Sequence, residues 1–244
     1  MKKLTLIFAA IALFSCNNAT KKSTDAAAGN SKPTSRDALT AEKQKELTPD
    51  SVVTLLKDGN RDFSSFKPYS INDSLRIRQT ATSQNPMGAV LSCLDSRVPV
   101  ERVFDMGIGD LFVARVAGNI GNEDIWGSLE YATFVIHAKV IMVLGHEDCG
   151  AVKAAISNYK GTKNIAALLA KIRPAVDSVK EPTDPKQRTA ENKKFVHDVM
   201  VKNIELTIAR MRKESKEIRE LEEKKEIKII GGIYDVATGK IEFL

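Results

Sequence analysis

Three apolar runs punctuate the chain, each ending in small or polar residues: "MGAVLSCL" from Met87, "DLFVARVAG" from Asp110 and "KVIMVLGH" from Lys139. Runs this short and this continuously apolar predict strands buried on both faces. The closing stretch "EIKIIGGIYDVATGKIEFL" predicts two more strands, joined at "DVATGK". Between the runs the spacing turns helical. Val52, Val53, Leu55 and Leu56 make an apolar face behind Thr48, a residue suited to cap a helix. Pro49 suits the first helical position and Asp50 the positive end of the helix. Residues 73–82 predict a second helix. "DIWGSLEYATFVIHA" predicts a third, with Trp126, Leu129, Tyr131 and Phe134 among its apolar positions, and "DCGAVKAAISNY" restarts a helix directly after a strand. Residues 163–180 and 187–222 also predict helices, separated by the Pro-containing "EPTDPKQ". Apolar strands alternating with helices imply an α/β fold: a mostly parallel central sheet flanked by helices. Sites in such sheets lie beyond the carboxyl ends of strands, and Cys93 and His146 fall at two of those ends.

The first residues carry another pattern. "MKKLTLIFAAIALFSC" sets two lysines before an apolar run from Leu4 to Phe14 and then a cysteine. That run is too short to span a bilayer, which needs about 20 residues, and it has the form of a secretory signal. "LFSC" resembles a bacterial lipobox, which implies lipidation of Cys16 as the mature N-terminus; the alternative is an ordinary signal peptide with a chance cysteine. Residues 17 to about 40 have no apolar periodicity and cannot bury enough surface to offset their ordering entropy. The expected organisation is a signal peptide over 1–15, a lipidated cysteine and flexible tether over 16–44, and a folded domain over 45–244. The expected location is outside the cytoplasm, anchored by lipid at the periplasmic side of a bacterial membrane or at the cell surface.

Composition narrows the classes. The 244 residues allow one large domain or two small ones. The formal charge of +6 comes from signs mixed along the chain. Its densest run, "RMRKESKEIRELEEKKEIK" from Arg210, alternates in the manner of a solvated helix face, so no nucleic-acid partner is expected. The cysteines are 16, 93 and 149. With Cys16 lipidated, the default for an exported protein is a disulfide between the other two.

The chemistry-bearing residues argue for a different use. "LSCLDSRVPVE" places Cys93, Asp95 and Arg97 within five positions, and an aspartate and an arginine there are not packing residues. "GHEDCG" places His146 and Cys149 at a strand-to-helix turn, spaced so that both can face one centre. Zinc takes thiolate sulfur and imidazole nitrogen, usually as four ligands in a tetrahedron. Three protein ligands with an open position is the catalytic pattern. A disulfide would leave Asp95, Arg97 and His146 unexplained. His137 and His197 fall at helical positions and are expected at a surface or an interface.

"CLDSRVP" followed by "GHEDCGAV", together with "GNRDF", "GDLFVARVAGN", "GSLEYA" and "GGIYDVATGK", resembles the β-class carbonic anhydrases over about residues 45–244. The resemblance implies one zinc ion per chain on Cys93, His146 and Cys149, with Asp95 and Arg97 as a catalytic dyad. In a closed form Asp95 would become the fourth ligand. It also implies a substrate pocket that includes Gln84, Phe112, Tyr131 and Gly150. Arg115 is shared with a closed-site, bicarbonate-regulated subgroup, but Val90 stands where that subgroup carries tryptophan, so the open form is expected. Leu94 stands where serine is common, a departure expected to matter little. The implied reaction is reversible hydration of CO2 to bicarbonate and a proton by a zinc-bound hydroxide. The implied assembly is a homodimer or a dimer of dimers, with an N-terminal helical arm embracing the partner. The alternatives are a CS2 or COS hydrolase on the same scaffold, or a non-catalytic exported module that binds zinc or is stapled by a disulfide.

Overall fold

The computed structural model of the chain describes residues 37–69 and 71–244. Cys16 and the signal and tether assigned from sequence before residue 37 lie outside them. Five strands form one sheet: β1 (Gly88–Ser92), β2 (Leu111–Arg115), β3 (Val140–His146), β4 (Lys228–Tyr234) and β5 (Ile241–Phe243), in the spatial order β2-β1-β3-β4-β5. The first four are mutually parallel and β5 closes the sheet antiparallel to β4. The helices are α1 (Ala41–Glu46), α2 (Pro49–Ser64), α3 (Asp73–Gln79), α4 (Val100–Val103), α5 (Glu123–Glu130), α6 (Gly150–Ile156), α7 (Lys163–Ser178), α8 (Lys193–Glu214) and α9 (Lys216–Glu223). Among the described residues no helix is long and apolar enough to cross a membrane.

The apolar runs explain the layers. β1 and β3 are buried along their whole lengths, and side chains alternate between the two faces. Ala89, Leu91, Ile141 and Val143 pack with Trp126 of α5, Val152 of α6, Ile172 of α7 and Phe195 and Ile204 of α8. Val90, Met142 and Leu144 pack on the opposite face with Val52 and Leu56 of α2 and with Phe104. β2 is an edge strand and is only partly covered. Ser92 lies beside Leu144 in the β1–β3 register, so Cys93 and His146 leave the sheet close together at its carboxyl edge.

α2 begins as its sequence predicts. Thr48 Oγ1 accepts the Ser51 amide at 3.1 Å and Ser51 Oγ accepts the Thr48 amide at 3.0 Å, behind Pro49 at the first helical position.

Four features differ from the sequence expectation. Ordered structure begins before residue 45, because α1 is capped by Thr40 and its buried Gln44 donates to the Pro86 carbonyl at 2.8 Å. α3 ends at Gln79, short of residue 82. The helix expected over "DIWGSLEYATFVIHA" widens into a π turn over Tyr131–Val135. It stops at His137, whose φ of 63° leaves the helical region, so His137 is not a helical residue. The helix expected over 187–222 starts only at Lys193, where Asn192 caps it, and breaks at Ser215. Ser215 is extended and its Oγ accepts the Ile218 amide at 3.1 Å to start α9. Ile218 and Leu221 are buried, so the charge-alternating run is solvated only in part.

Candidate metal centre

The turn after β1, the end of β3 and the start of α6 meet at the carboxyl edge of the sheet. Cys93 stands just past β1, His146 is the last residue of β3, and Cys149 is the N-cap of α6. All three are buried, and their ligand atoms lie within 4.8 Å of one another. The two sulfurs are 4.0 Å apart and both thiols are free. That separation is about twice a disulfide bond, so the arrangement is not the disulfide that composition favoured.

The donor set fits a zinc ion. His146 Nδ1 donates to the Glu147 carbonyl at 2.9 Å, which leaves Nε2 as the atom with the free lone pair. Nε2 is buried and has no hydrogen-bond partner. An orphaned buried polar atom of this kind costs about 1–3 kcal/mol. Two sulfurs converge with it, and two thiolates and one imidazole are ligands that zinc takes.

Electrostatics divide the two sulfurs. The hydrogen bond from the Cys149 thiol, aided by the Gly118 amide and opposed by burial, holds Cys93 down to about 4. The same shared hydrogen bond, together with burial, pushes the Cys149 thiol up. A dication beside both would favour ionisation of the second thiol as well.

Asp95 lies in the same turn. Arg97 grips it with a fork, Nε to Oδ1 at 2.9 Å and Nη2 to Oδ2 at 2.8 Å, and the Arg97 amide adds 3.0 Å to Oδ1. These bonds from Arg97 hold the carboxyl well below the usual carboxylate range. Asp95 Oδ2 is 3.7 Å from His146 Nε2, so the ionised carboxylate faces the centre that the three ligand atoms share.

Phe112 and Tyr131 meet edge to face, with ring centroids 6.3 Å apart. With Ala89, Arg115, Ile125 and Leu129 they line a cavity of about 760 Å³ between β2 and α5. Gln84 is exposed on the loop between α3 and β1, and among the described residues no hydrogen bond joins it to the cluster. Gly150 opens α6 beside Cys149, and a side chain there would meet no atom within 4 Å. Leu94, between Cys93 and Asp95, is exposed. His137 is exposed, whereas His197 Nδ1 sits 2.6 Å from Glu147 Oε1, supporting the residue whose carbonyl holds His146.

Three contributors were not singled out for these roles by sequence. Arg115 donates through Nε to the Cys93 carbonyl at 3.0 Å and through Nη2 to the Asp95 carbonyl, clamping the turn that carries both residues. The Gly118 amide donates to Cys93 Sγ at 3.3 Å. Asn203 Nδ2 donates to the Gly118 carbonyl at 2.8 Å. Motif spacing carries no signal for Asn203, which is 85 residues from Gly118.

A family model described as carbonic anhydrase matches residues 88–241. A carbonic anhydrase of Mycolicibacterium smegmatis is 43% identical over 110 residues, covering 45% of this chain and 53% of that protein. The carbonic anhydrase of Pseudomonas aeruginosa is 30% identical over 175 residues, covering 69% of this chain and 77% of that protein. The chain therefore spans about half the length of some curated relatives and most of the length of another. Among solved structures, the Coccomyxa β-carbonic anhydrase in complex with acetazolamide aligns with a TM-score of 0.62 at 23% identity, over 80% of this chain and 85% of its own. A tetrameric β-carbonic anhydrase of Sordaria macrospora aligns with a TM-score of 0.58 at 22% identity, over 80% and 97%.

Proposed function

The chain belongs to the carbonic anhydrase family and has the β-class fold, and on that footing we propose that it is a zinc enzyme that interconverts CO2 and water with bicarbonate and a proton. The observation that carries this reading is the convergence of Cys93, His146 and Cys149 beside a carboxylate already committed to an arginine. Zinc bound there supplies a Lewis acid that lowers the pKa of a bound water towards neutrality, as it does in the three-histidine class of carbonic anhydrases.

The protein's own groups do the rest. With the metal in place, Asp95, ionised and acceptor-only, would accept a hydrogen bond from the water there and orient that water's oxygen towards CO2. Arg97 keeps that carboxylate charged and fixed in direction, so that it would act as an acceptor beside the metal rather than as a ligand. Phe112 and Tyr131 would give CO2 an apolar wall, and Gln84, exposed in one chain, would donate to a bicarbonate oxygen once the site is complete. Exposed Tyr131, Phe134 and Val135 lie on one turn near edge strand β2, an apolar surface suited to a second copy of the chain. A homodimer or dimer of dimers, with the N-terminal arm around the partner, would cover it and bring in groups that one chain leaves outside the site. Export and lipid attachment through Cys16 would put the reaction at the outer side of a bacterial membrane.

The test is stopped-flow CO2 hydration on the purified chain with zinc counted per chain. Hydration that rises from neutral to mildly alkaline pH, with about one zinc per chain, is the expected result. Bound zinc without hydration would overturn the reading and direct the search to CS2 and COS. Cys149→Ser removes one thiolate of the set. Zinc affinity, read by competition with a chromogenic chelator, is expected to fall by more than the about 10- to 100-fold that follows loss of a ligand's outer partner. Size-exclusion chromatography with light scattering checks the assembly, where a monomer at micromolar concentration would contradict it.

A further inference from the structure

We propose that Asn203 is a positioning residue for the metal centre: it holds the Gly118 carbonyl so that the Gly118 N–H stays aimed at Cys93 Sγ and limits the charge that this sulfur donates to a bound metal. The proposal rests on the reading of Cys93 as a metal ligand.

The turn that presents Gly118 does not hold itself. Gly118 has φ 70° and ψ 21°, and Asn119, next to it, has φ 43°. Two consecutive residues in the left-handed region, one of them not glycine, persist only where the surroundings fix them. Asn119 does not supply the anchor, because both polar atoms of its buried side chain lack a hydrogen-bond partner. The anchor comes from α8: Asn203 Nδ2 donates to the Gly118 carbonyl at 2.8 Å, and Gly118 N donates to Cys93 Sγ at 3.3 Å. A Cβ at Gly118 would lie 2.5 Å from Ile172 Cδ1, at a φ of 70° that itself favours glycine.

Asn203 stands out on its own helix. It is 2% exposed among Val199, Met200 and Ile204, positions that otherwise build the apolar core. A buried amide in such a stripe costs free energy unless its hydrogen bonds return it. The bond it makes runs to a residue whose amide reaches the Cys93 sulfur. An N–H donated to a thiolate draws charge away from it, and outer partners of this kind tune what a ligand gives its metal.

The experiment uses the full chain loaded with Co(II), whose sulfur-to-metal charge-transfer band reports the donor strength of the thiolates. Asn203→Asp keeps the shape and replaces the donating amide with an acceptor. The band is expected to move to longer wavelength, because the sulfur then gives the metal more charge. Asn203→Ser, which keeps a shorter donor, is expected to show a smaller shift of the same sign and serves if the aspartate variant does not fold. Ile204→Val loosens the same part of α8 without touching this path and is expected to leave the band in place. An unmoved band in the Asn203 variants, or an equal shift in Ile204→Val, overturns the proposal. A wild-type chain with no charge-transfer band at all would instead overturn the metal-site reading beneath it.

Discussion

Asp95→Asn is expected to slow CO2 hydration by about 100-fold or more, the scale of losing a positioned acid–base group, while zinc remains bound. Asparagine has the shape of aspartate, and the three candidate ligand atoms belong to other residues, so the centre should stay assembled. What changes is the atom beside His146 Nε2. Asp95 Oδ2, at 3.7 Å, is a charged acceptor held by Arg97 Nη2. An amide that keeps its oxygen on Oδ1 puts a donor there instead, facing a guanidinium that also only donates. The hydrogen bond that orients the reacting water is lost together with the negative charge. Stopped-flow rates and zinc content measured on the same sample check this. Full zinc with an unchanged rate would reduce Asp95 to a structural partner of Arg97.

The same substitution has a signature in pH. The Asp95 pKa is lowered on folding, first by the Arg97 hydrogen bonds. A lowered carboxylate pKa adds stability that is fully present above the unfolded value, about 3.9, and is lost as pH falls through the folded value. The difference in thermal stability between wild type and Asp95→Asn should therefore be largest near neutrality and shrink on acidification. A gap that widens in acid would mean that the Arg97 fork is not what stabilises the charge.

The legible and illegible parts of the site separate by distance along the chain. Asp95 and Arg97 are two residues apart, and their fork is a local fact that "LDSR" already contains. Cys93 and His146 were placeable because fully apolar runs end at them, and parallel pairing of those runs brings their ends together. Arg115, Gly118 and Asn203 act on the site through backbone atoms, and a backbone atom leaves no mark in residue type. Gln84 shows the converse: motif spacing drew attention to it, yet one chain leaves it exposed and unbonded to the cluster. The helix breaks followed from caps that compete with propensity. Ser215 ends one helix and starts the next because its hydroxyl can take the Ile218 amide, and that choice was hidden inside a run of strong helix formers. The ion pair of Arg76 with Asp110, buried on both sides at 2.5 Å, was equally invisible to periodicity.

"GNRDF" resembled a family motif without showing a reason for itself, and its physics yields the second large expectation. Asn60→Ala should lower stability by about 3 kcal/mol or more, summing lost partners at about 1–3 kcal/mol each. Asn60 is buried on α2, and its Nδ2 donates to the Val103 carbonyl at 3.1 Å and to the Gly239 carbonyl at 2.9 Å. Its Oδ1 accepts the Ile241 amide at 2.8 Å. One side chain thus ties α2 to the end of α4 and to the hairpin that joins β4 to β5. The approach is close as well: a Cβ on Gly59 would lie 1.9 Å from the Phe104 carbonyl oxygen, so α2 packs directly on the backbone after α4. At about 2–4 °C per kcal/mol for a domain of this size, the melting temperature should drop by about 6–12 °C. Asn60→Asp, which sets a buried acceptor against the Val103 and Gly239 carbonyls, should be at least as destabilising as Asn60→Ala. The folded variant should still take up zinc, because none of these bonds reaches Cys93, His146 or Cys149. A drop below about 1 kcal/mol, the typical cost of a point substitution, would show that the hairpin and α2 are held together by their apolar contacts alone.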